Sequence, residues 1–539
     1  MLEPTYRLGR RIGGRLVLDD GGGWHKIEGD MIPGSRRPSD PAPRVRRSLI
    51  VVSNREPYLH TRGPDGQVSW SKTPGGVSVA LDALMRERGG IWIAHGAGPA
   101  DREVVDARDR IKVPPDGPRY TLRRIWLSAE EERRYYGGFA NEGLWPLCHV
   151  AHVRPTFRAT DWAAYQRVNA RFAEAIVDEL ADPTTPVFIH DYHLALVAAE
   201  LRARVPRVRT ALFWHIPWPH ADRLRICPWR KEIVRALLAN DLLTFQLERD
   251  RRNFVWAARD ELGAVVDGRV LRLGDHVTRV TAEPIGVDFD RIMGIATDEG
   301  LEAEMHRLRR ELQIGTPIVG VGVDRLDYTK GIPERLEALD ALLSERADLR
   351  QLVTFVQIGV PSRSKLASYQ EIERTIDRMV ADINRRHRTP DGHEPIRYRK
   401  SALKLRRLVA LFRLADFCIV SSLHDGMNLV AKEFVAARED LDGVLVLSEL
   451  AGAAQELTDA VIINPYDIDG FAKAINRAID MPRNQRRDRM QAMRKLVAGK
   501  DVFNWASEIL EELEKHGAVS YPGAARLRQA NGPAPGERH

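Results

Sequence analysis

Residues 318–343 read IVGVGVDRLDYTKGIPERLEALDALL. The opening IVGVGV is a continuous β-branched run, the pattern of a strand buried on both faces. The closing PERLEALDALL has apolar residues at helical spacing and begins with proline, which a first helical turn tolerates. A strand that feeds a helix through a short loop is the unit of a doubly wound α/β sheet. The loop DRLDYTKG carries Arg325 and Lys330, five residues apart, with Asp324 and Asp327 beside them. Loops at the carboxyl ends of such strands face the ligand, and the next helix offers free N–H groups and the positive end of its dipole. Two cations there make an anion cradle, arginine as a bidentate fork and lysine as a mobile point charge. Asp324 and Asp327 could equally neutralise both cations in a solvated turn, and the loop alone leaves both readings open.

Working outward, the same alternation recurs. Strand-like runs at 48–54 (SLIVVSN), 90–96, 186–192, 209–217, 241–247 and 278–288 are interleaved with helical patterns such as 162–181 and 194–205. A second series at 318–324, 351–360, 415–422 and 443–449 is separated by helical runs including 371–387 and 428–440. This predicts an α/β protein with two Rossmann-like doubly wound domains facing a central cleft, joined near residues 290–315. Residues 1–47 hold GGGW and PGSRRPSDPAPRVRRS with little apolar periodicity, so a disordered extension is expected there, and a flexible tail over 518–539.

Composition narrows the function classes. The 539 residues are 43% hydrophobic, enough for a sizeable core. The charge balance, 82 − 75 = +7, suits an anionic small substrate, and without a concentrated basic face it gives no reason to expect nucleic acid. Cys148, Cys227 and Cys418 are far apart and form no CxxC, so neither a disulfide framework nor a zinc site is expected, and a reducing cytoplasm is the simplest location. No apolar run is long enough to span a bilayer, and no secretory signal pattern is expected at the N-terminus. HExxH, GxSxG and GxxxxGK[ST] are all absent, so metallohydrolase, serine-nucleophile and P-loop chemistry have no support.

The remaining polar loops also fall at strand ends. In SSLHDGMNLVAKEF, 421–434, Asp425 sits at a turn before a helix, and the amides of the Met427–Leu429 segment are free to donate to phosphate oxygens. Glu433 follows Leu429 by about one turn and could accept both hydroxyls of a ribose, while Asp425 could accept a sugar hydroxyl. The alternative makes Asp425 a helix cap and Glu433 a surface charge. Arg55 follows the strand VVSN, and Gly75 and Gly76 precede a helix and permit close backbone approach. Tyr136 and Trp145 lie in YYGGFANEGLWPLCH, 135–149, which does not read as a regular core element. Asp191 and His193 lie just after a strand in IHDYHL, 189–194, and His215 follows a strand in FWHIPWPH.

Taken together, these segments resemble the trehalose-6-phosphate synthase family, retaining glycosyltransferases of the two-Rossmann-domain GT-B type. The resemblance runs from about residue 48 to about 510 and rests on VVSNR, PGGVSVAL, HDYHL, HIPWP, GVDRLDYTKGI, HDGMNLVAKEF and LSELAGAAQEL followed by INPYD. It implies transfer of glucose from UDP-glucose to glucose 6-phosphate, giving α,α-trehalose 6-phosphate and UDP, without a cofactor or catalytic metal. It implies an acceptor domain over 48–300, a donor domain over 301–500, and a C-terminal helix over 501–517 that packs back toward the first domain. Arg325 and Lys330 would hold the donor diphosphate, Gly76, Leu429, Val430 and Glu433 the rest of the nucleotide, and Asp191, His215 and Asp425 the transferred sugar near the reacting centre. Arg55, Tyr136, Trp145, Asp191 and Arg363, the last in VPSRSK, would form the acceptor side. The partners implied are these two small molecules, with no nucleic acid or membrane, and a homo-oligomer is allowed.

Two departures fall on the acceptor side: His95 stands near the place of a second family tryptophan, and the segment from Arg55 to Gly75 is longer than in simple bacterial members. They keep glucosylglycerol-phosphate synthase, which takes glycerol 3-phosphate, as the alternative. A catalytically silent regulatory relative would be expected to lose donor-site groups, but Arg325, Lys330, Asp425 and Glu433 are all present. No DxDGT phosphatase motif follows.

Overall fold

The computed structural model describes residues 16–18, 24–26, 49–73 and 76–516. The chain divides into two units, residues 1–46 and 47–539. In the first, Leu16–Leu18 and Trp24–Lys26 pair antiparallel, Leu16 opposite Lys26. The expected extension otherwise lies outside the described residues, as does the expected tail over 518–539.

The second unit is built on two sheets. The first has ten strands in the order Val265–Asp267, Val270–Leu273, His276–Ala282, Leu242–Phe245, Arg209–Trp214, Pro186–His190, Ile50–Arg55, Ile91–His95, Tyr120–Ile125 and Arg110–Val113. The seven strands from His276–Ala282 to Tyr120–Ile125 are parallel, and the strands beyond them at both edges are antiparallel. The second sheet has six parallel strands in the order Ile396–Arg399, Val353–Val360, Ile318–Arg325, Phe417–Val420, Val444–Ser448 and Val461–Ile463. The central strands are buried on both faces, which is why they read as unbroken apolar runs.

Helices cover these sheets through single apolar stripes. Ala159–Glu179 buries Tyr165, Val168, Phe172 and Ile176, three and four residues apart. The last helix, Val502–His516, packs Trp505 on Phe213 and Phe188 of the first sheet, with ring centroids 4.9 and 5.8 Å apart. At its first residue, Val502 N–H donates to the Val287 carbonyl at 3.2 Å, so the two crossings between the halves run side by side. Gly286 is required there, because a Cβ would sit 2.2 Å from the Lys500 carbonyl oxygen.

Tyr120–Ile125, Arg110–Val113, Ile396–Arg399, Val461–Ile463 and the hairpin Tyr58–Arg62/Val68–Lys72 were not among the expected strands. The hairpin fills the longer segment between Arg55 and Gly75. The stretch around Tyr136 and Trp145 is helical after all: Glu132–Leu144 winds in wide, π-type turns and runs directly into the α-turn Trp145–Cys148, with Trp145 N–H donating to the Ala140 carbonyl five residues back. Its glycines disguised it in sequence. Gly138 and Gly143 are needed because a Cβ would lie 2.4 Å from the Asp161 carboxylate and 2.9 Å from the Phe157 ring.

Candidate active site

Each sheet has one central place where chain order reverses direction. In the first it lies between Ile50–Arg55 and Pro186–His190, and in the second between Ile318–Arg325 and Phe417–Val420. Open α/β sheets bind ligands at the carboxyl ends of strands at such switch points. Arg55 and Asp191 stand at the first, Arg325 and the 421–425 loop at the second.

The Arg325–Lys330 loop turns sharply at Gly331, φ 62°, where a Cβ would lie 2.1 Å from the Ser421 carbonyl oxygen. This close approach brings the two loops of the second switch point together. Lys330 Nζ lies 2.5 Å from Asp425 Oδ2, which also accepts from Ser422 Oγ at 3.2 Å and Asn428 Nδ2 at 3.3 Å. Burial pushes the Asp425 carboxyl up, but Lys330, His149 and Arg325 outweigh it and bring it to about 2. The cap of helix Leu429–Ala437 is Asn428, which accepts from Ala431 N–H, so the reading of Asp425 as a helix cap is corrected.

The aspartates of the 322–332 loop do not neutralise its cations as a simple turn would. Asp324 is committed to buried Arg335, 2.7 Å away, which also donates to Gln357 and Ser421. Asp327 turns inward, bonding Thr329 and reaching Arg363 Nη1 at 3.2 Å, with Arg325 Nη2 at 3.8 Å. Arg325 therefore keeps its guanidinium partly exposed, 5.2 Å from the Trp145 ring of the other half. Glu433 is no surface charge. It is partly buried, burial pushes it up to about 7, and no hydrogen bond or ion pair to it occurs among the described residues. Leu429 and Val430 open its helix. Gly76 heads the helix Gly76–Arg88, and Pro74 and Gly75 lie outside the described residues.

On the facing half, Arg55 Nη2 donates to Tyr136 OH at 2.9 Å. Burial alone would raise the Tyr136 phenol, but Arg55 and Arg363 overcome it and bring it to about 7. Arg363 comes from the second half, its guanidinium 4.0 Å from the Trp145 ring and 3.2 Å from Tyr192 OH. The Trp145 indole N–H is buried without a partner among the described residues. Tyr192, Tyr369 and Asp327 were missed as members of this cluster: Asp327 and Tyr369 meet Arg363 within the second half, and Tyr192 reaches it from the first. The tyrosine of HDYHL was the one available signal.

Asp191 lies between these groups. It accepts from His215 N–H at 3.2 Å, and burial lifts its carboxyl to about 6 against the pull of Tyr192 and His215 N–H groups, Arg363 and Arg325. His215 is held neutral, burial pushing it down to about 3, and its Nε2 lies 3.1 Å from His190 Nδ1. His193, also singled out from IHDYHL, stacks on Tyr136 at 5.5 Å. His95 ends the strand beside Arg55, its register partner.

Three residues with left-handed φ that are not glycine fall in this constellation: Asp191 (77°), Arg363 (50°) and Asn428 (81°). Each such conformation costs about 1–3 kcal/mol and gathers where function demands a fixed geometry. The halves touch beside them. Gly426 packs against the His215 carbonyl, and Val150 N–H donates to His424 Nδ1 at 3.0 Å. Among the described residues, no three His, Cys, Asp or Glu side chains converge as metal ligands, and no helix is long and apolar enough to cross a membrane.

The profile of glycosyltransferase family 20 matches residues 47–515. The chain is 38% identical over 496 residues to the trehalose-6-phosphate synthase of Mycobacterium marinum (strain ATCC BAA-535 / M), covering 90% of this chain and 97% of that one. It is similar to the crystal structure of a UDP-forming α,α-trehalose-phosphate synthase from Burkholderia xenovorans in complex with glucose-6-phosphate: TM-score 0.77, 34% identity, 87% of this chain and 100% of that one. An E. coli structure described as bound with UDP-2-fluoro glucose matches with TM-score 0.77 and 31% identity, over 88% of this chain and 99% of the other.

Proposed function

The chain belongs to glycosyltransferase family 20 and is a UDP-forming glycosyltransferase of the trehalose-6-phosphate synthase type, and on that premise we propose that it moves glucose from UDP-glucose to glucose 6-phosphate with retention at the anomeric carbon. The products are UDP and α,α-trehalose 6-phosphate. The observation that carries this reading is the pairing of two cation sets across one cleft: Arg325 with Lys330 at one switch point, and Arg55 with Arg363 around Tyr136 at the other. One set suits a diphosphate and the other a phosphomonoester. The relatives described with glucose-6-phosphate and with a UDP-sugar analogue support the same assignment.

The chemistry follows from charge. As the glycosidic bond breaks, negative charge grows on the departing diphosphate. Arg325 and Lys330 are already fixed beside it, so they stabilise the transition state more than the ground state. Protein cations do this work without a metal. Glu433 takes the ribose hydroxyls, and the free amides at Leu429 and Val430 take donor oxygens. Asp425 and His215 contact the transferred glucose, and Asp191 the sugar hydroxyls near the reacting carbon. Arg55, Arg363, Tyr136 and the unpartnered Trp145 N–H grip the acceptor phosphate. Attack comes from the face of the leaving group, whose phosphate oxygen takes the acceptor hydroxyl proton. Contact between the halves keeps water from the donor.

The test is UDP release by purified protein given UDP-glucose alone, with glucose 6-phosphate, and with glycerol 3-phosphate. Release that depends on glucose 6-phosphate is expected. Release with glycerol 3-phosphate only would overturn the acceptor, and no release with either would overturn the transfer.

A further inference from the structure

Asp327 sits at 0% exposure inside the loop that carries Arg325 and Lys330. Its two oxygens have different partners. Oδ1 accepts from Thr329 N–H at 3.1 Å and from Thr329 Oγ1 at 3.0 Å, which shapes the loop. Oδ2 faces Arg363 Nη1 at 3.2 Å, Tyr369 OH at 3.4 Å and Arg325 Nη2 at 3.8 Å. Arg363 Nη1 also donates to Tyr369 OH, so the hydroxyl bridges the carboxylate and the guanidinium. Arg363 has left-handed φ, follows its strand on a short loop and has a side chain only 3% exposed, its guanidinium held by these partners.

We propose that Asp327 is a positioning residue that sets Arg363 for the acceptor phosphate from within the donor loop, with Tyr369 as its bridge. The proposal rests on the assignment of Arg363 to the acceptor side. One carboxylate oxygen thereby ties the acceptor arginine to the loop that holds the leaving group. Any shift of that loop on diphosphate binding is passed to Arg363 through a direct ion pair, a contiguous physical link between the two subsites.

The division of labour makes the test selective. In Asp327→Asn the amide oxygen still serves Thr329, but an NH₂ group replaces Oδ2 and points donors at Arg363. Loss of a charge-assisted bond at a buried site is expected to weaken glucose 6-phosphate binding by about tenfold or more. UDP binding, measured separately by calorimetry, is expected to stay within about threefold, because Arg325 lies 3.8 Å from Oδ2, beyond hydrogen-bond reach, and does not take its aim from it. Tyr369→Phe, which removes only the bridge and is the milder change to the core, is expected to act in the same direction by about threefold. Equal weakening of both ligands would mark Asp327 as merely structural, and unchanged glucose 6-phosphate affinity in both variants would also overturn the proposal. A wild-type protein that turns over glucose 6-phosphate while the variants bind it normally overturns this inference alone. A wild type that binds no glucose 6-phosphate overturns the acceptor assignment with it.

Discussion

Lys330 and Asp425 meet at 2.5 Å from two different strand-to-helix loops, and this pair locks the two sides of the second switch point together. Lys330→Ala would leave a partly buried carboxylate, 14% exposed, without its nearest counter-charge. Stability is expected to fall by about 1–3 kcal/mol, between the values for exposed and fully buried pairs, read from chemical denaturation. Turnover is expected to fall about a hundredfold or more, since a preorganised charge at the leaving group is lost with it.

The pH dependence of that pair has a definite sign. The Asp425 carboxyl is brought to about 2 in the fold because Lys330 and its neighbours overcome the upward push of burial. Unfolded, it titrates near the ordinary value of about 3.9. Its contribution is therefore present above that value and lost as pH falls through the folded one. Denaturation midpoints should drop more steeply below about pH 4 in the wild type than in Asp425→Asn.

Tyr136 offers a spectroscopic test. Burial raises its phenol, Arg55 and Arg363 bring it to about 7, and a fraction should be phenolate at neutral pH. A phenolate absorbance step near that pH is expected, absent in Tyr136→Phe. Glucose 6-phosphate should shift the step to higher pH, because its phosphate competes for the same two guanidinium groups. A step unmoved by the ligand would remove Tyr136 from the acceptor site.

Glu433, pushed up to about 7 by burial, should be the group that sets the lower pH limit of donor binding. Under the proposed assignment the ionised carboxylate accepts two ribose hydroxyls; protonated, it gives up part of that capacity. UDP affinity is expected to fall as pH drops below about 7, and Glu433→Gln should flatten the profile while weakening binding overall.

Gly426 tests the meeting of the halves. A Cβ at this position would lie 2.4 Å from the His215 carbonyl oxygen, a backbone atom that cannot swing aside. Gly426→Ala is expected to lower kcat/KM by at least about tenfold with little change in the thermal transition, because near-attack geometry tolerates little displacement. Unchanged kinetics would mean the halves do not need this contact.

Much of the molecule was legible in its sequence because the central strands are buried on both faces and so appear as continuous apolar runs. Residues 318–325 and 353–360 are clear cases. Edge strands such as Arg110–Val113 are half exposed and mix charges with apolar residues, which hides them. The helix carrying Tyr136 was hidden by glycines whose reason is tertiary: Asp161 and Phe157 press against them. The site followed the same rule. Arg325, Lys330 and Asp425 stand at the ends of recognisable strands or in the loops after them, and Glu433 in the helix that follows one. The link from Asp327 to Arg363 spans two strand-end loops, and Tyr369 joins it from a helix. No local pattern in the chain records such a meeting.

The most direct measurement is identification of the products from UDP-glucose and glucose 6-phosphate with a metal chelator present, by nuclear magnetic resonance. The account predicts UDP and α,α-trehalose 6-phosphate in equal amounts, and loss of both with Arg325→Ala. Free glucose in place of the disaccharide, a β linkage, or no UDP at all would contradict it.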